Sequence, residues 1–150
     1  MKKSFHLVKG DNRKDVAILL IRLMLGVVFI YHGLPKLGVF GPTDQLVGFF
    51  SMIGIPSPAI MLTVAGLAEV LGGVLLILGL FTNLASWVLA FTMLVAVVMA
   101  HGSKGFNIMN GGYEYALTLL VMCVALAHLG HGKYSLCKCK CENGTCDAEK

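Results

Sequence analysis

Four apolar stretches, each long enough to cross a bilayer, alternate with short polar clusters along the chain. The pattern predicts a first span over Val16–Leu34, stopped by Pro35, and a second over Ala59–Leu80. A third follows over Leu84–Ala100 and a fourth over Tyr113–Leu129. The longest connection, Gly38–Pro58, holds an amphipathic piece, Thr43–Met52, between Pro and Gly breaks. That piece is expected to lie as a short helix on the outer surface of the membrane. Phe81-Thr82-Asn83 reads as a tight, uncharged turn, and His101–Gly112 as a glycine-rich outer loop. No Asp, Glu, Lys or Arg occurs from Val70 to Ser103, a run too long for one helix and suited to a hairpin of two.

Composition turns this pattern into a fold class. The chain is 57% hydrophobic and 13% charged, where a soluble domain carries about a quarter charged residues. The expectation is an all-α integral membrane four-helix bundle over residues 16–132, with a basic segment at 1–15 and a short cysteine-rich tail at 133–150. The net charge of +4 comes from the two ends rather than from a basic face, so nothing points to nucleic acid. Five Lys/Arg in residues 1–15 and lysines at 133, 138, 140 and 150 place both termini in the cytoplasm, with the protein in the cell inner (plasma) membrane. The first apolar run ends in His-Gly-Leu-Pro-Lys rather than in a small-residue cleavage site, so it reads as a retained span.

Candidate chemistry begins at Glu69, the only ionisable residue between Gln45 and His101. A charge at bilayer depth costs at least ~2.5–3.5 kcal/mol, so Glu69 should face protein, be protonated or pair with a cation. Ala65, Gly66, Gly72 and Gly73 flank it and make a smooth face for close helix approach, within the bundle or in a homo-oligomer. His32 and Lys36 leave the first span on the outer side, His101 leaves the third there, and Glu114 enters the fourth there. With Glu69 they form a candidate polar pocket in the outer half, while Arg22 stands alone in the inner half at a depth from which it can snorkel. Each has a plainer reading: headgroup contact for His32 and Lys36, a helix end for His101, a helix dipole for Glu114. Carboxylate, histidine and a cation together suit proton-coupled chemistry on an anion or a quinone-type carbonyl. The histidines lack a metal spacing such as HExxH, and no phosphate loop, dinucleotide fingerprint or Ser-His-Asp order occurs.

These residues resemble the DoxX family of small four-helix membrane proteins over roughly residues 15–130. The likeness rests on a first span carrying an arginine, Gly33-Leu34-Pro35-Lys36-Leu37 at its exit, and Ala65-Gly66-Leu67-Ala68-Glu69 followed by Gly72-Gly73. His101 near Gly105-Phe106 and Asn110-Gly111-Gly112-Tyr113-Glu114-Tyr115 complete it. The resemblance implies oxidoreductase character, since relatives include subunits of a thiosulfate:quinone oxidoreductase and a member of a thiol-redox complex. It also implies that Arg22, His32, Lys36, Glu69, His101, Asn110 and Glu114 line a substrate or quinone pocket.

The tail departs from that pattern. Cys137, Cys139, Cys141 and Cys146 give CxCxC-x4-C, with lysines between the first three. Closely spaced thiolates can wrap Cu or Zn, although the spacing is not that of a zinc ribbon; lipidation and thiol exchange are the other uses. Cys123, alone in the fourth span, reads as a packing residue. The expected function is a quinone- or sulfur/thiol-linked oxidoreductase, or a subunit of one, with Glu69 as proton donor or acceptor and His32 and His101 as relays. Lys36 and Arg22 would hold the anionic or carbonyl group. The alternatives are a non-catalytic membrane anchor of a soluble or membrane oxidoreductase partner, and a metal-handling protein led by the tail.

Overall fold

The computed structural model describes residues 12–39 and 41–136, and the backbone of 140–142 and 145–147. The bundle is built from α1 (Asn12–Gly33), α2 (Thr43–Met52), α3 (Pro58–Leu78), α4 (Thr82–Val95) and α5 (Glu114–Leu129). Three of its rods are long and apolar enough to cross a membrane: Asn12–Leu37, Pro58–Leu78 and Thr82–Lys104; Glu114–Leu129 is a shorter apolar helix. In the tail, backbone 140–142 pairs antiparallel with 145–147, placing Cys141 opposite Cys146.

Several boundaries differ from the sequence expectation. α1 starts at Asn12 because its first turn is polar and carries Asp15, which favours a helix N-terminus. Pro35 does not end the rod. It occupies the first turn of a 3-10 segment, Leu34–Leu37, where its missing N–H leaves no bond unmade. The α3–α4 turn falls on residues 79–81, two earlier than expected, because Gly79 adopts the left-handed conformation (φ 73°) that caps α3. α4 continues beyond Val95 through a wider π-helical stretch, Ala96–His101, the kind of local widening often found at functional sites.

The long helices stand in the ring order α1, α3, α4, α5, with α2 laid against α3 and the 3-10 turn. α1 and α3 touch through glycine. A Cβ at Gly73 would lie 2.7 Å from the Gly26 carbonyl oxygen, and one at Gly26 equally close to the Gly73 oxygen. Gly72 similarly seats the Leu89 side chain of α4. The small-residue face of α3 is therefore used inside the bundle. Leu25, Phe29, Leu76, Leu89, Cys123 and Leu126 fill the core, with Cys123 wholly buried as a packing residue.

The first turn of α1 and the segment 131–136 after α5 lie on one face of the bundle, here the terminal face. Its keystone is Arg22, only 1% exposed. Its Nε donates to the Leu76 carbonyl (2.8 Å) and Nη2 to that of Ile77 (3.0 Å), at the C-terminal end of α3. Nη1 donates to the carbonyls of His131 (2.6 Å) and Tyr134 (2.9 Å), in the segment after α5. Lys133 N–H donates to Asp15 Oδ1 and Leu136 N–H to the Leu78 carbonyl, so residues 131–136 form a strap across the ends of α1 and α3. Arg22 thus neither snorkels to headgroups nor reaches the opposite half of the bundle, where the other candidate residues lie. The negative end of the α3 dipole and four carbonyls hold its charge in place.

Candidate functional site

The opposite face holds the polar cluster, and two glycines create it. A Cβ at Gly33 would lie 3.0 Å from the Glu69 Cβ, and one at Gly66 would lie 3.0 Å from the Lys36 Cβ. Without side chains there, the 3-10 turn settles onto α3 and Lys36 reaches Glu69. Lys36 Nζ forms an ion pair with Glu69 Oε2 and also donates to the His32 carbonyl at 2.8 Å. Pro35 therefore does not part His32 from Lys36. The Glu69 side chain is 3% exposed and that of Lys36 20%, so the carboxylate is buried and the ammonium reaches the rim. Taking both charges from water is costly, and the pair with its added backbone acceptor offsets that cost.

This pair forms the polar end of a cavity of about 650 Å³ lined by residues of all five helices. His32, His101, Tyr115 and Thr92 also reach it, and the remaining wall is aliphatic, aromatic or methionine. An apolar chamber of this volume with a few convergent polar groups has the usual make-up of a small-molecule site. His101 Nδ1 lies 2.7 Å from the Gly111 carbonyl oxygen, which can only accept. Nδ1 therefore carries the proton, and in neutral imidazole Nε2 is left as an acceptor. The His32 ring lies 5.9 Å from that of Tyr115 and 5.5 Å from that of Tyr31. The π-helical stretch that precedes His101 brings Ala96, Met99 and Ala100 to the same wall.

Of the expected set, His32, Lys36, Glu69 and His101 line one chamber. Arg22, Asn110 and Glu114 do not. Arg22 serves the terminal face. Asn110 ends a 3-10 turn, Ile108–Asn110, and Glu114 Oε2 accepts from the Ile108 N–H at 3.1 Å, so both shape the loop before α5. Cys137 and Cys139 lie outside the described residues, and at Cys141 and Cys146 only the backbone is described. Among the described residues no cluster of His, Cys, Asp and Glu is arranged to hold a metal.

Two contributions to the site were missed. Tyr115 shares the inward face of α5 with Leu119, four residues on, a spacing visible in the sequence. The stripe Leu46, Phe49 and Phe50 of α2, with Ile53 just after it, faces the cavity, not only the membrane surface, and Lys104 sits over the Phe49 ring at 5.6 Å. Its amphipathic pattern was legible, but an apolar stripe does not say whether lipid or protein covers it.

The sequence model of the DoxX family matches residues 17–102. Among curated proteins, the Bacillus subtilis protein named "Putative oxidoreductase CatD" is 32% identical over 112 residues, 75% of this chain and 79% of its own length. An uncharacterized membrane protein of Mycobacterium tuberculosis is 32% identical over 131 residues, covering 80% of this chain and 78% of its own. The inner membrane protein YphA of Escherichia coli is 30% identical over 88 residues, 59% of this chain and 61% of its own. No solved structure matches.

Proposed function

The chain belongs to the DoxX family of membrane proteins, and from that premise we propose that its cavity is the quinone-reducing site of a membrane oxidoreductase, or of the membrane subunit of one. The observation that carries this reading is the Lys36–Glu69 pair at the polar end of an otherwise apolar chamber. A planar ring with a carbonyl needs an apolar slot, a donor for the oxygen and a proton source. The aromatic and methionine walls supply the first, Lys36 Nζ the second and Glu69 the third. The reductant is a thiol or another reduced sulfur compound. Two thiols release two electrons and two protons as they join in a disulfide, and the ring takes up both to become a quinol. Lys36, polarising the carbonyl oxygen, favours electron arrival there, and Glu69, ionised in the pair, first takes a proton from His101 or His32 and then passes it to the ring oxygen as charge develops. His101, with Nε2 free to accept, and His32 then return protons to Glu69. The clustering of Lys and Arg at the two ends supports a cytoplasmic terminal face, so the cavity would serve a donor arriving at the outer face.

Photolabelling tests the assignment of the chamber. An azido-quinone illuminated with the protein in lipid nanodiscs is expected to mark α2 and α4 peptides containing Phe49, Phe50 and Phe91, and excess unmodified quinone should remove the marks. Labels scattered over the outer faces of the helices, unaffected by competition, would contradict it.

A further inference from the structure

The cavity is not walled evenly. On the α1 and α3 side its floor is closed by side chains such as Phe29 (1% exposed) and Glu69 (2%). Between α3 and α4 the lining residues double as outer surface: Val64 is 53% exposed, Phe91 67%, Val88 42% and Met99 42%. The gap has defined margins. Toward the terminal face, the close seat of Leu89 against Gly72 shuts α3 onto α4. Toward the loop face, α2 closes the top, its Phe49 and Phe50 on the cavity and Phe49 beneath Lys104. Val64, Val88, Phe91 and Met99 are apolar, and the neighbouring Thr92 hydroxyl is already bonded to the Val88 carbonyl, so the gap offers apolar surface where a spanning bundle meets hydrocarbon. An opening there would be pointless for a water-borne ligand, which would have to shed its hydration in the bilayer first.

We propose that this gap is a side door in the membrane, through which the hydrocarbon chain of a lipid-borne substrate passes while its polar ring rests at Lys36 and Glu69. This rests on the quinone reading for the ring but fixes something further: the substrate carries a long chain, enters from the bilayer, and is selected partly by Val64 and Phe91. With the ring at Lys36 and Glu69, the chain runs out through the gap along the α3–α4 groove. Burial of the chain there is favourable relative to water but adds little relative to lipid. The door therefore governs access and chain placement more than affinity.

The test places a nitroxide on Ala68→Cys, and separately on Ala96→Cys across the cavity, in the full-length chain with the four tail cysteines changed to serine. In phosphatidylcholine–phosphatidylglycerol nanodiscs, collisions with oxygen, which concentrates in hydrocarbon, are compared with those of a water-soluble nickel chelate. Oxygen should dominate at both positions, and Val64→Trp, which fills the gap, should lower oxygen collisions several-fold. Decylquinone should lower them as well, and the same ring without its chain should leave them largely unchanged. Dominance of the nickel chelate, or no response to Val64→Trp, would overturn the side door. Equal protection by the two rings would overturn the chain's place in it. The oxygen–nickel comparison needs no quinone, so failure of the quinone reading would show separately, as absence of photolabelling with the door intact.

Discussion

Glu69→Gln is expected to lower quinone turnover by about 100-fold or more, the scale of a lost general acid–base group, while leaving the fold and the azido-quinone labelling pattern in place. Glutamine keeps the shape and an oxygen acceptor for Lys36 Nζ, but it cannot release or take up a proton. The structural side effect should be small. Lys36 loses its counter-charge, yet its side chain reaches the rim and keeps the His32 carbonyl as an acceptor. Turnover and thermal unfolding of the same preparation separate the two roles. A melting temperature near that of the parent with turnover lost marks Glu69 as part of the proton path. Unchanged turnover would reduce the ion pair to a device that holds the 3-10 turn against α3.

Arg22→Met should act in the opposite way, damaging the fold without touching the chamber. Four of the five guanidinium N–H groups are committed to carbonyls on two separate segments. Methionine fills some of the volume and leaves those oxygens short of donors in a buried place. At ~1–3 kcal/mol for each buried group left unsatisfied, and with the α3 end partly satisfied by the Gly79 cap, the loss should be about 3 kcal/mol or more. That corresponds to a fall of roughly 10 °C in Tm for a chain of this size. The first part to loosen should be the strap at 131–136, so amide hydrogens there should exchange faster than those of α3. Arg22→Lys should recover only part of the loss, because a point charge cannot serve two pairs of carbonyls as a planar fork does. A variant as stable as the parent, with the strap equally protected, would show that Leu136 and Asp15 suffice to hold it.

The number and type of helices were legible because runs such as Ala59–Leu80 have one explanation at bilayer scale. Thr43–Met52 was read with its observed limits because Pro42 and Gly54 bracket it. That Glu69 turns inward was legible for an energetic reason, since a lone carboxylate at that depth has few tolerable environments, but Lys36 was read as a substrate-holding group and not as its partner. What composition could not convey was which side of the bundle a polar residue serves. Arg22 falls on the apolar first span like a site residue, and only the three-dimensional return of residues 131–136 reveals the carbonyls that absorb it. Asn110 and Glu114 failed for a local reason. Loop residues next to a helix start have backbone N–H groups of their own to satisfy, and Glu114 is taken up by that of Ile108. The role of Gly33 was hidden as well, since the close approach that requires it depends on Lys36 and Glu69 meeting across two helices.

The most direct measurement is quinone reduction by the purified, full-length protein in nanodiscs, followed optically under anaerobic conditions with thiosulfate, sulfide or a small thiol as donor. Protein-dependent quinol formation is expected with at least one of these donors, matched to the donor oxidised and blocked by the competing quinone used in photolabelling. No quinol with any donor, from protein that melts cooperatively and still takes up the photolabel, would contradict a catalytic chamber and leave this chain as the quinone-holding partner of another subunit.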